Sequence, residues 1–362
     1  MCDLYLHIGT HKTGSTAIQG ALRRHSRDLK DEGILRIPTH HSLLKKLMRA
    51  KSSDPAFASQ VREELAQNLN SELSSSSDSR LILSYEGLSG HFLTGYSNTE
   101  VVAETLRQAF DDLDVEVIVY LRRQDDFVES MYTQMIYQGE AYSFDQFISQ
   151  SDIDQIDWYD LVNAYGSKFG ADKIHVRRYH RKFLPEPYSL IQDFGRVVGS
   201  EVLSRYETSK TANSGYSRTA LEIARRTNPY LDDREQSQLR GILQASNTKK
   251  FFESYSFFAP DERRTFLEQH ASSNRRILDE YFPEQDSRLF PKPDFEDHKE
   301  WEGLTVERTA ITLTRALLAV KEDSPYIVRA LEKIERKVGS MLNEHPRAKR
   351  VVKSTLRRFG LR

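Results

Sequence analysis

The sequence predicts an α/β fold in three layers, a central parallel sheet covered by helices, with a helical C-terminal extension. Three observations predict it. Short apolar runs of strand length alternate with amphipathic helical stretches, the pattern of βαβ units. The first strand runs straight into a glycine-bearing loop and then a helix. The strongest apolar run, Val115–Leu121, is also followed by a helix start.

Leu4–Ile8 reads as the first buried strand. The helical pattern after it carries Ile18, Leu22 and Leu29, and Gly33 is expected to end that helix. Ile34–Ile37 is a second strand, stopped by Pro38. Residues 54–70 show Phe57, Val61, Leu65 and Leu69 on one helical face. The Ser-rich stretch 71–79 is a loop, and Leu81–Ser84 a strand. A helix at about 98–113 leads into Val115–Leu121. Helices then follow from near Asp125 and over about 157–169, with a short strand at 173–176. Residues 217–285 are mostly helical, and Phe290-Pro291-Lys292-Pro293 marks a boundary. Two domains are therefore expected, 1–293 and a helical, basic tail over 294–362.

Composition narrows the function. Lys+Arg 52 against Asp+Glu 53 gives a net charge of −1, so no whole-protein field draws in nucleic acid. Any anion site must be local. Cys2 is the single cysteine, which excludes an intrachain disulfide and thiolate-rich zinc sites. No signal peptide and no apolar stretch of membrane-spanning length is read. A cytoplasmic protein is the expectation.

The chemistry begins at Gly9-Thr10-His11-Lys12-Thr13-Gly14-Ser15-Thr16. Such a strand–loop–helix turns backbone N–H groups and the positive helix end towards an anion, in a P-loop-like arrangement. It departs from the triphosphate loop G-x-x-x-x-G-K-[ST]. Ser15 stands at the lysine position and Lys12 lies inside the loop. No acidic strand end suited to metal-bound phosphates is found, and no metal is expected. A single lysine plus amides suits a less charged transferred group.

The second anchor follows Val115–Leu121, in Arg122-Arg123-Gln124-Asp125-Asp126-Phe127-Val128-Glu129-Ser130-Met131-Tyr132. Ligands of open parallel sheets bind at the carboxyl ends of strands. An arginine fork at 122 and a hydroxyl at 130 can hold a second phosphate. The other reading is an Arg–Asp pair at the helix start, from Arg122 or Arg123 to Asp125 or Asp126.

Together the two segments resemble the PAPS-dependent sulfotransferases, especially bacterial, carbohydrate-modifying members. His11-Lys12-Thr13-Gly14-Ser15-Thr16 is similar to their 5′-phosphosulfate loop. Arg122 to Ser130, with Asp126 between and Tyr132 after, is similar to their 3′-phosphate motif R-x-x-x-D-x-x-x-S-x-Y, and the separation of about 110 residues matches. Weaker similarity continues through Trp158–Tyr179 and Asn213–Asn228, covering roughly residues 4–290. Arg123-Gln124 departs from the Asn-Pro of many members, and His11 precedes the lysine where relatives often carry another residue.

The resemblance implies a P-loop-like fold that binds PAPS (3′-phosphoadenosine 5′-phosphosulfate) and releases PAP. His11, Lys12, Thr13, Gly14, Ser15, Thr16, Arg122 and Ser130 are then the donor-binding residues. Lys12 stabilises the departing oxygen, and His11 either holds sulfuryl oxygens or lines the loop. The acceptor implied is a hydroxyl or amine of a glycan or glycolipid. A nucleotide kinase and a non-catalytic PAP- or glycan-binding module are the alternatives.

The reaction also needs a proton acceptor. Glu86, after strand Leu81–Ser84, is the first choice, by analogy with related enzymes. It is equally a helix-start carboxylate or ion-pair partner. His40 and His41 are the competitors. Arg178 and Tyr179 either border a ligand or pair at the surface. Asn213–Ser217 is either a nucleotide-contacting loop or a helix cap. After Pro346 the chain carries Arg347, Lys349, Arg350, Lys353, Arg357, Arg358 and Arg362 without an acid. It is a solvated tail or a basic amphipathic segment on the inner membrane face.

Overall fold

A computed structural model describes residues 3–38, 41–52, 54–70, 80–186, 189–206, 215–246, 255–283, 287–293 and 301–319. The chain divides into two compact units. The first comprises the described residues within Met1–Met131, Ile148–Ser209 and Pro260–Pro293.

Its centre is a five-stranded parallel sheet of β1 (Leu4–His7), β2 (Ile34–Arg36), β3 (Arg80–Ser84), β4 (Val115–Leu121) and β5 (Ile174–Arg178). The strand order is β2-β3-β1-β4-β5. β1 lies between β3 and β4, with Leu6 opposite Leu83 on one side and Val117 on the other. The central strands β1, β3 and β4 are mostly apolar because both faces are covered, whereas the edge strand β5 alternates buried and half-buried positions.

Alternation along the strands sorts the two faces. Tyr5, Ile34, Ile82, Ile118 and Tyr120 share one core with Ile18, Leu22, Leu29, Leu190 and Phe194. That core lies under helices Ser15–Arg24 and Leu190–Val197. On the other side, helix Trp158–Phe169 packs on β4, β5 and helix Thr99–Ala109. Leu22 is fully buried, and burial of such a side chain contributes about 1.5–3 kcal/mol.

The expected continuous helix to Gly33 is in fact two helices, Ser15–Arg24 and Ser26–Asp31. The break falls at His25. Ser26 opens a new helix with Asp28 in its first turn, and Asp28 lies 3.1 Å from the His25 ring. Leu29 still reaches the same core. The fifth strand runs two residues further than expected, to Arg178. Arg178 is buried, with its guanidinium over the rings of Phe183 and Phe282, which corrects the surface reading.

The second unit comprises the described residues within Tyr132–Phe147, Lys210–Ala259 and Asp294–Arg362. Helices Arg218–Thr227, Asp233–Ser246 and Val306–Ala319 pack on one another. The Ser217 hydroxyl caps the first of them at Ala220 N–H. Tyr132, Phe144 and Phe257 form an aromatic cluster in the same unit. The Ser-rich loop 71–79, residues 213–214 and the basic segment after Pro346 lie outside the described residues.

Candidate functional site

β1 and β4 are hydrogen-bonded neighbours, so the segments leaving their carboxyl ends are adjacent. They touch. One Arg122 Nη1–H donates to the Lys12 carbonyl at 3.2 Å. The Thr10 hydroxyl also donates to the Tyr120 carbonyl at 2.9 Å, pinning the loop to β4.

The loop is held in a fixed shape from within. The Thr13 hydroxyl donates to the Thr10 carbonyl at 2.6 Å and accepts from the Thr10 N–H at 3.3 Å. Its side chain is thus spent on the loop, which leaves its backbone as the part of Thr13 open to a ligand. Gly9, Lys12 and Gly14 all have left-handed backbones, with φ of 54°, 62° and 85°. A Cβ on Gly9 would sit 3.0 Å from Ser15 Oγ, and one on Gly14 would collide with Leu190. Both glycines are sterically required there.

Gly14 is the N-cap of helix Ser15–Arg24, so no side chain caps the first turn, and that turn holds no acid. The first N–H groups of a helix have no intrahelical partners, and their positive end favours an anion. Ser15 is 5 % exposed, and its Oγ has no hydrogen-bond partner among the described residues. A buried hydroxyl without a partner is unusual, and here it sits where an anion would be received. Thr16 is exposed in the same turn.

Electrostatics point the same way. Partial loss of hydration, then the nearby Arg122, lower the Lys12 pKa. Two cations in one place favour an anionic guest. Loss of hydration, then His91 and Lys12, push the His11 imidazole down to about 3. His11 is therefore neutral at pH 7, although part of the residue remains accessible. Its Nδ1 lies 2.9 Å from Tyr96 Oη, and its ring packs on Phe92.

The two arginines have different surroundings. Arg123 forks onto Asp125 (2.6 and 2.9 Å) and reaches Asp126 (3.0 Å) and the Pro291 carbonyl (3.1 Å). It is the helix-start pair read from the sequence. Arg122 faces Lys12 instead, with its guanidinium 5.9 Å from the Tyr179 ring centre. Ser130 lies two turns along helix Gln124–Tyr137 and is partly exposed. No hydrogen bond among the described residues links it to Arg122 or Lys12.

Glu86 opens a short 3₁₀ turn after β3 and lies against the loop: a Cβ on Gly9 would be 3.5 Å from its Cα and Cβ. Gln19 Nε2 donates to Glu86 Oε2 at 3.0 Å and to the Ser84 carbonyl at 3.3 Å. His40 lies outside the described residues, and of His41 only its place in helix His41–Met48 is described. Among the described residues no group of three or more His, Cys, Asp or Glu is arranged for a metal ion.

Several neighbours were not singled out from the sequence: Gln19, Tyr96, Leu190, and the Trp158 indole, which donates to the Arg122 carbonyl at 2.8 Å. Each acts across a long stretch of chain, which local pattern does not encode.

No family model matches the chain. A curated relative from Archaeoglobus fulgidus, described as an uncharacterized protein, is 27% identical over 194 residues, 53% of this chain and 53% of its own. The chain thus matches about half the length of that relative. A sulfotransferase from Alicyclobacillus acidocaldarius superposes with a TM-score of 0.39 at 13% identity, covering 63% of this chain and 94% of that one. Among the described residues no helix is long and apolar enough to cross a membrane.

Proposed function

We propose that the protein is a PAPS-dependent sulfotransferase. The observation that carries the reading is the contact of the Arg122 guanidinium with the Lys12 carbonyl. It supports a single anion-binding edge built from the loop after β1 and the end of β4. The partnerless Ser15 hydroxyl and the uncapped helix behind it support the same reading.

On this reading the 5′-phosphosulfate lies on residues 11–16 and the 3′-phosphate near Arg122 and Ser130. The acceptor oxygen attacks sulfur in line as the bond from sulfur to the bridging oxygen breaks. The electron pair leaves on the 5′-phosphate of PAP, where the Lys12 ammonium meets the growing charge. The acceptor proton passes to the Glu86 carboxylate, which Gln19 holds beside the loop. Neutral His11 adds a hydrogen bond at most, since its low pKa keeps it from carrying charge.

The acceptor is a hydroxyl or amine of a glycan or glycolipid, met in the cytoplasm or, through the basic tail, at the inner membrane face. Transfer of labelled sulfate from PAPS to candidate glycans tests the reaction. Lys12→Ala should lower turnover at least about a hundredfold while leaving the circular-dichroism spectrum intact. Undiminished turnover by that variant refutes the assignment.

A further inference from the structure

Among the described residues, two that are not glycine have left-handed backbones, Lys12 at φ 62° and Tyr96 at φ 64°. Such a conformation is costly for residues with a Cβ and persists where the surroundings enforce it. They meet at His11. The Tyr96 Oη accepts from the His11 N–H at 3.2 Å and lies 2.9 Å from His11 Nδ1.

Tyr96 is itself fixed. It is 4 % exposed, and its carbonyl accepts from the Thr99 N–H (3.0 Å) and hydroxyl (2.7 Å). Its ring packs against Phe127 and Trp158, with centroids 6.1 and 5.9 Å away. Phe127 and Trp158 meet edge to face at 5.3 Å. Trp158 then donates its indole N–H to the Arg122 carbonyl. One buried aromatic trio thus makes a polar contact to each anion anchor, Tyr96 to the Lys12 loop and Trp158 to the end of β4.

We infer that Tyr96, Phe127 and Trp158 form a rigid bracket that fixes the spacing between Lys12 and Arg122, and so selects nucleotides carrying anionic groups at both the 5′ and 3′ positions. The inference rests on the sulfotransferase reading for the identity of the nucleotide. The bracket itself rests on contacts alone. Tyr96 and Trp158 are positioning residues in it. A fixed spacing makes the second anionic group bind as an intramolecular event, and a loosened spacing forfeits that gain.

Two variants remove polar contacts of the bracket: Tyr96→Phe keeps the ring and loses the contacts of the phenol oxygen with His11, and Trp158→Phe loses the indole N–H together with part of the ring. Calorimetry with PAP and with 5′-AMP reads the selectivity. Each variant should cut the preference for PAP over 5′-AMP roughly tenfold, the cost of about one buried hydrogen bond. Equal weakening of both nucleotides overturns the bracket, because a merely local or structural defect does not distinguish them. Hydrogen exchange in the nucleotide-free protein gives an independent readout. Amides of residues 11–15 should exchange roughly tenfold faster in Tyr96→Phe, and unchanged exchange also overturns the bracket. If the wild-type protein binds no PAP, the sulfotransferase reading falls, and the exchange result alone decides the bracket.

Discussion

Replacing Ser15 by alanine separates an anion-binding hydroxyl from a structural one, because the two roles predict opposite signs. The Ser15 side chain is almost wholly buried, and its Oγ makes no hydrogen bond among the described residues. Leaving a buried hydroxyl without a partner costs about 1–3 kcal/mol. Alanine also suits a helical position slightly better. The nucleotide-free Ser15→Ala protein should therefore be more stable by about 1 kcal/mol, a rise in Tm of about 2 °C for a chain of this size. PAP binding should move the other way. A hydrogen bond to a charged oxygen contributes about 1.5–3 kcal/mol, so affinity should fall roughly tenfold to a hundredfold. Thermal denaturation with and without PAP, followed by calorimetry, reads both effects on one sample. A variant that melts lower yet binds PAP as before would show that the hydroxyl serves the fold, and the argument for an anion at this helix start would fail.

Four further outcomes follow from the structure. Arg123→Ala should cost roughly 3 kcal/mol of stability, because it strips a fully buried Asp125 of its bidentate partner. Arg122→Ala should leave denaturant midpoints nearly unchanged and weaken PAP about thirtyfold; the reverse pattern would exchange the roles of the two arginines. Glu86→Gln should lower kcat by about two to four orders of magnitude with PAP affinity intact, and a full rate would exclude Glu86 as the proton acceptor. His7 is buried beside Ser84, 2.7 Å from its hydroxyl, and burial lowers its pKa to about 3. The folded-state pKa lies below the ordinary value near 6.5. The neutral ring's contribution is therefore full above about pH 6.5 and is lost as pH falls towards 3. His7→Asn should flatten the acid limb of stability against pH by close to one proton; an unchanged slope would show that the ring titrates normally.

Much of the sheet was legible because it is buried on both faces. Leu4–Ile8 and Val115–Leu121 read as continuous apolar runs, and their strands fall within one residue of the expected limits. The loop was legible from Gly9 and Gly14, whose spacing reports a backbone that must turn left-handed twice. The Arg123–Asp125 pair could be seen as a local Arg-x-Asp, but local pattern could not choose between the arginines. That choice is made by the neighbouring strand, which puts the Lys12 carbonyl within reach of Arg122. The same holds for Gln19 on Glu86, Trp158 on Arg122 and Tyr96 on His11. These contacts join segments 36 to 85 residues apart, and no periodicity reports them. The helix break at His25 was missed because Ile18, Leu22 and Leu29 fit one helical stripe whether or not the helix is continuous.

Four departures from good folding practice coincide at this one edge of the sheet. Lys12 has a left-handed backbone, the Ser15 hydroxyl lacks a partner among the described residues, no side chain caps the helix behind it, and Lys12 and Arg122 bring like charges together. Each is unfavourable alone. An anion that accepted from the amides and the hydroxyl and lay between the cations would relieve the last three and offset the first. In the same unit Arg263 meets Asp125 and Glu129, and Arg177 meets Asp193. Several local conflicts that a single ligand would relieve together are the mark of a functional site rather than of poor packing. It also sets a sign: ligand-free stability should rise, not fall, when the Ser15 hydroxyl or the left-handed strain at Lys12 is removed by substitution without disturbing β1 or β4.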